Sequence, residues 1–341
     1  RLHVKKRYGS LRGALLELQK ALLSRAETDR RVIMPGYTHL QQAQPILLSH
    51  YWLSFLFAIE REKTRCANAS ALADVMPLGS GAMAGAGFSV DRRKLARVLG
   101  FRAISPNSVD AVASRDFVLD ALACCASISI LLSRYAEDLI IWSSREFNFI
   151  ELDDAWSTGS SMMPQKKNPD SLELVRSKAG RCIGNYTAFA ATLKGVGLAY
   201  YKDLQEDKEP LLDSFDHVHL ACAAFSGVLK TLIVKAESMR HDLDPFLFAT
   251  DLADYLVDKN MPFRKAHKVV GKIVAYCIDN GCDFRKLTLS LLKEFSPLFE
   301  KDVTELFQWK RAIMHRNIDG GTGYGSVKKQ IVRARTLVGG E

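Results

Sequence analysis

Between Ser157 and Asp170 the chain reads Ser-Thr-Gly-Ser-Ser-Met-Met-Pro-Gln-Lys-Lys-Asn-Pro-Asp, a run that no packing requirement explains. Gly159 and the hydroxyls of Ser160 and Ser161 suit a mobile loop rather than a core. Lys166 and Lys167 add two cations. Pro169 fits the first position of a helix and Asn168 its N-cap, so the loop is expected to end where backbone N–H groups and a partial positive charge converge. A basic or nucleophilic oxygen, ammonium groups and a helix start lying this close together make a site for a carboxylate-bearing substrate. The bland alternative, a lysine-bearing surface loop ahead of a helix, accounts for the lysines but not for the whole run.

The segment Gly159-Ser160-Ser161-Met162-Met163-Pro164-Gln165-Lys166-Lys167-Asn168-Pro169-Asp170 resembles the loop of the fumarase/aspartase superfamily, in the form carried by its argininosuccinate lyase branch. Two further segments agree in kind and order. Met34 to Pro45, with Thr38-His39-Leu40-Gln41 at its centre, is similar to the family's Thr-His-Leu-Gln segment, and Lys202-Asp203-Leu204-Gln205-Glu206-Asp207-Lys208 to its Lys-Asp-Leu-Gln-Glu-Asp-Lys helix start. The resemblance covers nearly the whole chain. It implies an enzyme that splits argininosuccinate into arginine and fumarate by anti elimination, with no cofactor and no metal. It also implies a cytoplasmic homotetramer whose active sites are shared between subunits. Family members carry an N-terminal domain ending in a substrate-binding Ser-x-Asn-Asp segment, and the resemblance sets Arg1 just beyond it.

The residue types suit that chemistry. Elimination of a C–N bond removes a weakly acidic proton from carbon beside a carboxylate, holds the dianion with cations and N–H donors, and protonates the departing nitrogen. A serine is a poor base unless nearby positive charge stabilises its alkoxide. The resemblance makes the first serine of the pair, Ser160, the base, with Lys166 stabilising the aci-carboxylate intermediate and Asn168 a polar contact. Ser161 reads as a loop hydroxyl capping its own backbone. The resemblance gives Thr38 and His39 substrate contact, with His39 orienting the substrate or moving a proton. It makes Tyr200, Gln205 and Lys208 further substrate contacts and sets Arg115 near the site; a salt bridge inside the bundle suits Arg115 almost as well.

The elements that must position these groups read as helices. Leu11, Ala14, Leu15, Leu18, Leu22 and Ala26 recur at three- and four-residue spacing. Long apolar-rich stretches run from Ile46 to about Met76, about Asp110 to Trp142, Pro169 to Leu193 and about Asp207 to Met239, and strand-like alternation is almost absent. The expected fold is all-α, with a long-helix bundle over 1–239 carrying the motifs and a smaller helical domain over 240–341, where breaks at Pro245, Pro262, Gly281 and Pro297 shorten the helices. The chain has 341 residues, 48% of them apolar, enough for a large core. No eighteen-residue stretch is uninterruptedly apolar, so no membrane span is expected. Seven cysteines without a C-x-x-C pair suit a reducing compartment. The net charge of +9 is scattered among acids without stacked aromatics, which argues against nucleic acid.

Other features carry less. His217 and His219 are two apart on a helix and face away from each other, so they are no metal pair. Gly320 to Gly325 imitates a phosphate loop, but no strand precedes it, and a turn between the last two helices is expected. Tyr201 stands where the family usually has Asn, and Gly85-Ala86-Gly87-Phe88 lacks a common proline. The alternatives to argininosuccinate are another succinyl adduct, such as adenylosuccinate, or a non-catalytic, crystallin-like use of the same scaffold.

Overall fold

The computed structural model describes residues 1–339. Two compact units divide the chain: Arg1–Leu22, Phe55–Arg145 and Ile150–Ile233 form the first, and Leu23–Ser54, Glu146–Phe149 and Val234–Glu341 the second. The division differs from the expected one at 239/240, because the second unit also takes in Leu23–Ser54.

The first unit is a bundle of long helices. It takes the first part of α1 (Leu2–Thr28), most of α2 (Leu48–Ala73), and α5 (Asp116–Ser143), α6 (Asp170–Leu193) and α7 (Lys208–Thr231), with the short α3 (Arg92–Val98) and α4 (Ser108–Ala113) in the connection between α2 and α5. Leu11, Leu15 and Leu18 of α1, Phe55 and Ile59 of α2, Ile128 and Leu132 of α5, Leu172 and Cys182 of α6, and Phe215 and Cys222 of α7 are buried at helical spacing. Phe55 stacks on Tyr135 with centroids 3.8 Å apart and meets Phe225 edge-on at 5.1 Å. α5 is long and apolar enough by composition to cross a membrane. Its Ala121, Cys125, Leu132, Ala136 and Leu139 are nevertheless buried, and it packs along α6 and α7, which is how a core helix of a bundle reads.

The helix boundaries shift from expectation where the site residues lie. The stretch expected from Asp110 breaks at Ser114–Arg115, where α4 ends and α5 begins. The last long helix stops at Thr231, and α8 (Ala236–His241) follows separately. α6 starts at Asp170 with Pro169 as its N-cap residue, one position later than expected. Asn168 instead bridges Thr158 in a two-residue antiparallel pairing.

The second unit holds a β-hairpin and the short C-terminal helices: α8, α9 (Ala249–Asp258), α10 (Phe263–Asp279), α11 (Leu289–Phe295), α12 (Trp309–His315) and α13 (Tyr324–Gly339). Its core gathers Phe248, Leu252, Leu256, Ile273, Phe284, Leu292 and Phe299. The hairpin is the one strand pairing longer than two residues among the described residues of a largely helical chain, and its alternation does not show in the sequence. β1 (Ile33–Thr38) pairs antiparallel with β2 (Gln41–Leu47), from Ile33 opposite Leu47 to Thr38 opposite Gln41. It was hidden because Pro35, Gly36 and Pro45 are poor strand formers, and because a bulge at Gly36/Tyr37 breaks the alternation. Gly36 is required there: a Cβ would lie 2.9 Å from the Gln44 carbonyl oxygen. The glycine run near the C-terminus is, as expected, the turn between α12 and α13.

Candidate active site

The loop ahead of α6 is tied at its base and open at its tip. The Ser171 hydroxyl donates to the Trp156 carbonyl at 2.5 Å, and Thr158 donates its N–H and its hydroxyl to the two Asp170 oxygens at 3.0 and 2.5 Å. Gly159 pairs with Lys167, and the Ser160 N–H reaches the Lys166 carbonyl at 3.2 Å. Above that ladder, Oγ of Ser160 accepts the backbone N–H groups of Met162 at 3.2 Å and Met163 at 3.0 Å. The serine that caps its own backbone is therefore Ser160 and not Ser161, whose hydroxyl makes no hydrogen bond among the described residues. The two donors would serve an alkoxide better than a hydroxyl, since hydrogen bonds to the charged form lower the cost of ionisation.

The two lysines of the loop part company. Nζ of Lys167 is 2.7 Å from Asp154 and 3.5 Å from Glu151, and it donates to the Leu152 carbonyl at 2.8 Å. The hydrogen bond to Asp154 is the main reason its pKa is raised. Lys166 is exposed and makes no ion pair among the described residues, so of the two its ammonium is the one uncommitted to the protein. Asn168 is half-buried beside them.

A second cluster in the same unit strings four of the expected contacts together. Nε of Arg115 donates to Oδ2 of Asp207 at 2.7 Å, and Nζ of Lys208 to Oδ1 of the same carboxylate at 2.8 Å. Lys208 also donates to Oε1 of Gln205 at 3.1 Å, and Nε2 of Gln205 reaches the Tyr200 hydroxyl at 2.5 Å. Local backbone explains the order. Arg115 sits in the break between α4 and α5, so its guanidinium also satisfies the late carbonyls of Val112 and Ser114. Gln205 and Asp207 lie on a tight turn, Lys202–Asp207, that runs into α7. The salt-bridge reading of Arg115 is what the structure shows, and Asp207 links that bridge to Lys208, Gln205 and Tyr200. The sequence reading passed over Asp207, although an acid between Gln205 and Lys208 is what could join an arginine and a lysine. It also passed over Gly227, which gives Trp156 its seat: a Cβ on Gly227 would fall 1.9 Å from the indole.

Thr38 and His39 belong to the second unit, at the tip of the hairpin. β2 lies between His39 and the helix expected from Ile46, which starts at Leu48 as α2. His39 and Leu40 form the two-residue turn with φ of 57° and 56°, the mirror-image turn that fits a twisted hairpin and usually carries Asn-Gly. Two side-chain-bearing residues in that region cost about 1–2 kcal/mol each, strain of the kind that collects at functional sites. Polar contacts brace the hairpin. Nε2 of Gln42 donates to the Asp242 carbonyl at 2.7 Å, the Tyr37 hydroxyl donates to the Asp242 carboxylate at 3.2 Å, and the Asp244 N–H donates to Gln42 at 3.1 Å. Burial, with Asp242 adding to it, pushes the Tyr37 phenol well above its ordinary pKa, so it stays a donor. Among the described residues no cluster of three or more His, Cys, Asp or Glu could hold a metal ion.

A helical bundle bearing a hydroxyl on a cation-rich loop, next to a helix start, is consistent with a lyase, and comparison with known proteins shows that class. A family model described as lyase matches residues 1–184, and one described as argininosuccinate lyase C-terminal matches 246–314. The argininosuccinate lyase of Pelotomaculum thermopropionicum is 48% identical over 336 residues, 98% of this chain and 73% of that one. That of Roseiflexus castenholzii is 49% identical over 322 residues, 94% of this chain and 71% of the relative. A solved EDDS lyase in complex with formate superposes with a TM-score of 0.91 at 29% identity, over 100% of this chain and 70% of that one. The chain belongs to the argininosuccinate lyase family.

Proposed function

We propose that the chain cleaves argininosuccinate to arginine and fumarate, with Ser160 as the base. The relatives named argininosuccinate lyase, aligned over nearly all of this chain, support the substrate. The observation that carries the base assignment is the pair of N–H donors on Oγ of Ser160. As its alkoxide, Ser160 takes the proton from the succinyl carbon next to a carboxylate. The electron pair moves into that carboxylate as an aci-dianion and then expels the nitrogen, which leaves as arginine once protonated. Lys166 balances the dianion's charge and Asn168 adds a polar contact. Thr38 and His39 orient the succinyl group, and Tyr200, Gln205, Lys208 and Arg115 receive the carboxylate and guanidinium ends.

We further assign a homotetramer with shared sites and a cytoplasmic location. Exposed Ile130, Leu174, Ile183 and Leu220 on α5, α6 and α7 support burial against other copies. Seven free cysteines, six of them buried, support a reducing compartment.

The test compares fumarate release, read by ultraviolet absorbance, from argininosuccinate and from adenylosuccinate, for the wild type, Ser160→Ala and Ser161→Ala. Turnover of argininosuccinate alone, lost by at least about 10²–10⁴-fold in Ser160→Ala and little changed in Ser161→Ala, is expected. Equal mild losses from both substitutions would remove Ser160 as the base, and turnover of adenylosuccinate would reassign the substrate.

A further inference from the structure

The second unit contains a cavity of ≈ 1130 Å³ to which the elimination chemistry assigns no role. It is lined by Arg31 just ahead of β1, by Arg240 at the end of α8, by Arg285 before α11, and by Trp309 and Lys310 at the start of α12. The four cations face a single acidic side chain in the lining, Glu237. Arg285 is already held by Asp283 at 2.9 Å. The side chains of Arg31, Arg240 and Lys310 make no hydrogen bond or ion pair among the described residues. Arg31, Arg240 and Lys310 are exposed, and with one acid in the lining the hollow carries an excess of positive charge that favours a polyanion. Trp309 is fixed in place by stacking on Phe248, with centroids 4.1 Å apart and planes 17° from parallel. The hollow thus combines cations with an anchored aromatic wall, and its volume exceeds what a simple inorganic anion needs.

We propose that this cavity binds a phosphorylated nucleoside, its phosphates between Arg31, Arg240 and Lys310 and its base against Trp309. Arginine suits phosphate by forked hydrogen bonding, and the indole offers a face for the ring. None of these residues takes part in the elimination proposed above. His39 lies six residues beyond Ile33, the β1 residue that lines the cavity, about 20 Å along an extended strand.

Isothermal titration of the intact chain at fixed ionic strength, with ATP, AMP, adenosine and inorganic tripolyphosphate as separate probes, tests the proposal. ATP is expected to bind once per chain, tighter than tripolyphosphate and much tighter than adenosine. Arg240→Ala and Lys310→Glu both change exposed side chains, and each should weaken ATP by about tenfold or more while leaving argininosuccinate turnover unaltered. Absence of binding by ATP at millimolar concentration overturns the site, as does unchanged affinity in the double variant. Tripolyphosphate binding as tightly as ATP overturns the nucleoside assignment and leaves an inorganic polyphosphate as the ligand.

Discussion

Asp207 is the pivot of the cluster that joins Arg115 to Lys208, and its replacement by Asn gives the most quantitative check on the site's organisation. The Asp207 side chain is 11% exposed and that of Arg115 17%, whereas Lys208 is 62% exposed. The two ion pairs therefore differ in weight. The lysine pair is close to a surface pair, worth about 0–1 kcal/mol. The arginine pair is nearly dry. At 2.7 Å its gross attraction is several kcal/mol, much of it offset by desolvation, and losing one partner of a fully buried pair costs about 3–5 kcal/mol. Arg115 keeps the Val112 and Ser114 carbonyls after the change, so the expected loss is about 2–3 kcal/mol. In a double-mutant cycle of Asp207→Asn with Arg115→Met, read by urea denaturation at one protein concentration, the coupling should come to about 2 kcal/mol. Kinetically, KM should rise more than kcat falls, because Lys208 and Gln205 lose their anchor while Ser160 and Lys166 keep theirs. Coupling below about 0.5 kcal/mol, or a loss confined to kcat, would refute the view that Asp207 organises a binding cluster.

Three further outcomes follow from particular residues. Leu40→Gly removes a side chain from a left-handed turn position where Leu40 is 67% exposed, so urea denaturation should show a gain of about 0.5–1 kcal/mol with turnover retained; a loss would mean that the turn is not strained. Gly227→Ala sets a methyl against the Trp156 ring, so it should cost about 1–3 kcal/mol and lower kcat by displacing the base of the Ser160 loop; unchanged kcat would separate Trp156 from loop position. Burial holds the His50 pKa below 6.5, with a hydrogen bond to Gln330 opposing the shift. As pH falls through 6.5 the unfolded chain takes up the proton first, so the stability present above that pH is lost below it. Denaturation midpoints should accordingly fall on acidification in the wild type and less steeply in His50→Leu, and parallel slopes would exclude His50 as the cause.

The parts of the site legible in the sequence were those whose chemistry is local. Ser160, Lys166 and Asn168 sit on one loop, and the choice of Lys166 over Lys167 became physical once Asp154 and Glu151 were seen to occupy the other ammonium. The bundle was legible because Leu11, Leu15, Leu18 and Leu22 repeat at the helical period. What the sequence concealed depends on residues far apart in the chain. Arg115 and Asp207 are 92 positions apart, and Gly227 and Trp156 meet only after α6 and α7 have packed. The hairpin was concealed for the opposite reason: its signal is local but contradictory, since prolines, glycine and a bulge mask the pairing and His-Leu occupies a turn that ordinarily demands Asn-Gly. That strain bears on the substrate contact proposed for His39. A fold that only had to close a hairpin would be more stable with glycine at positions 39 and 40, and the histidine held at 39 against its own backbone preference supports the proposed contact, whereas Leu40 has no part in it.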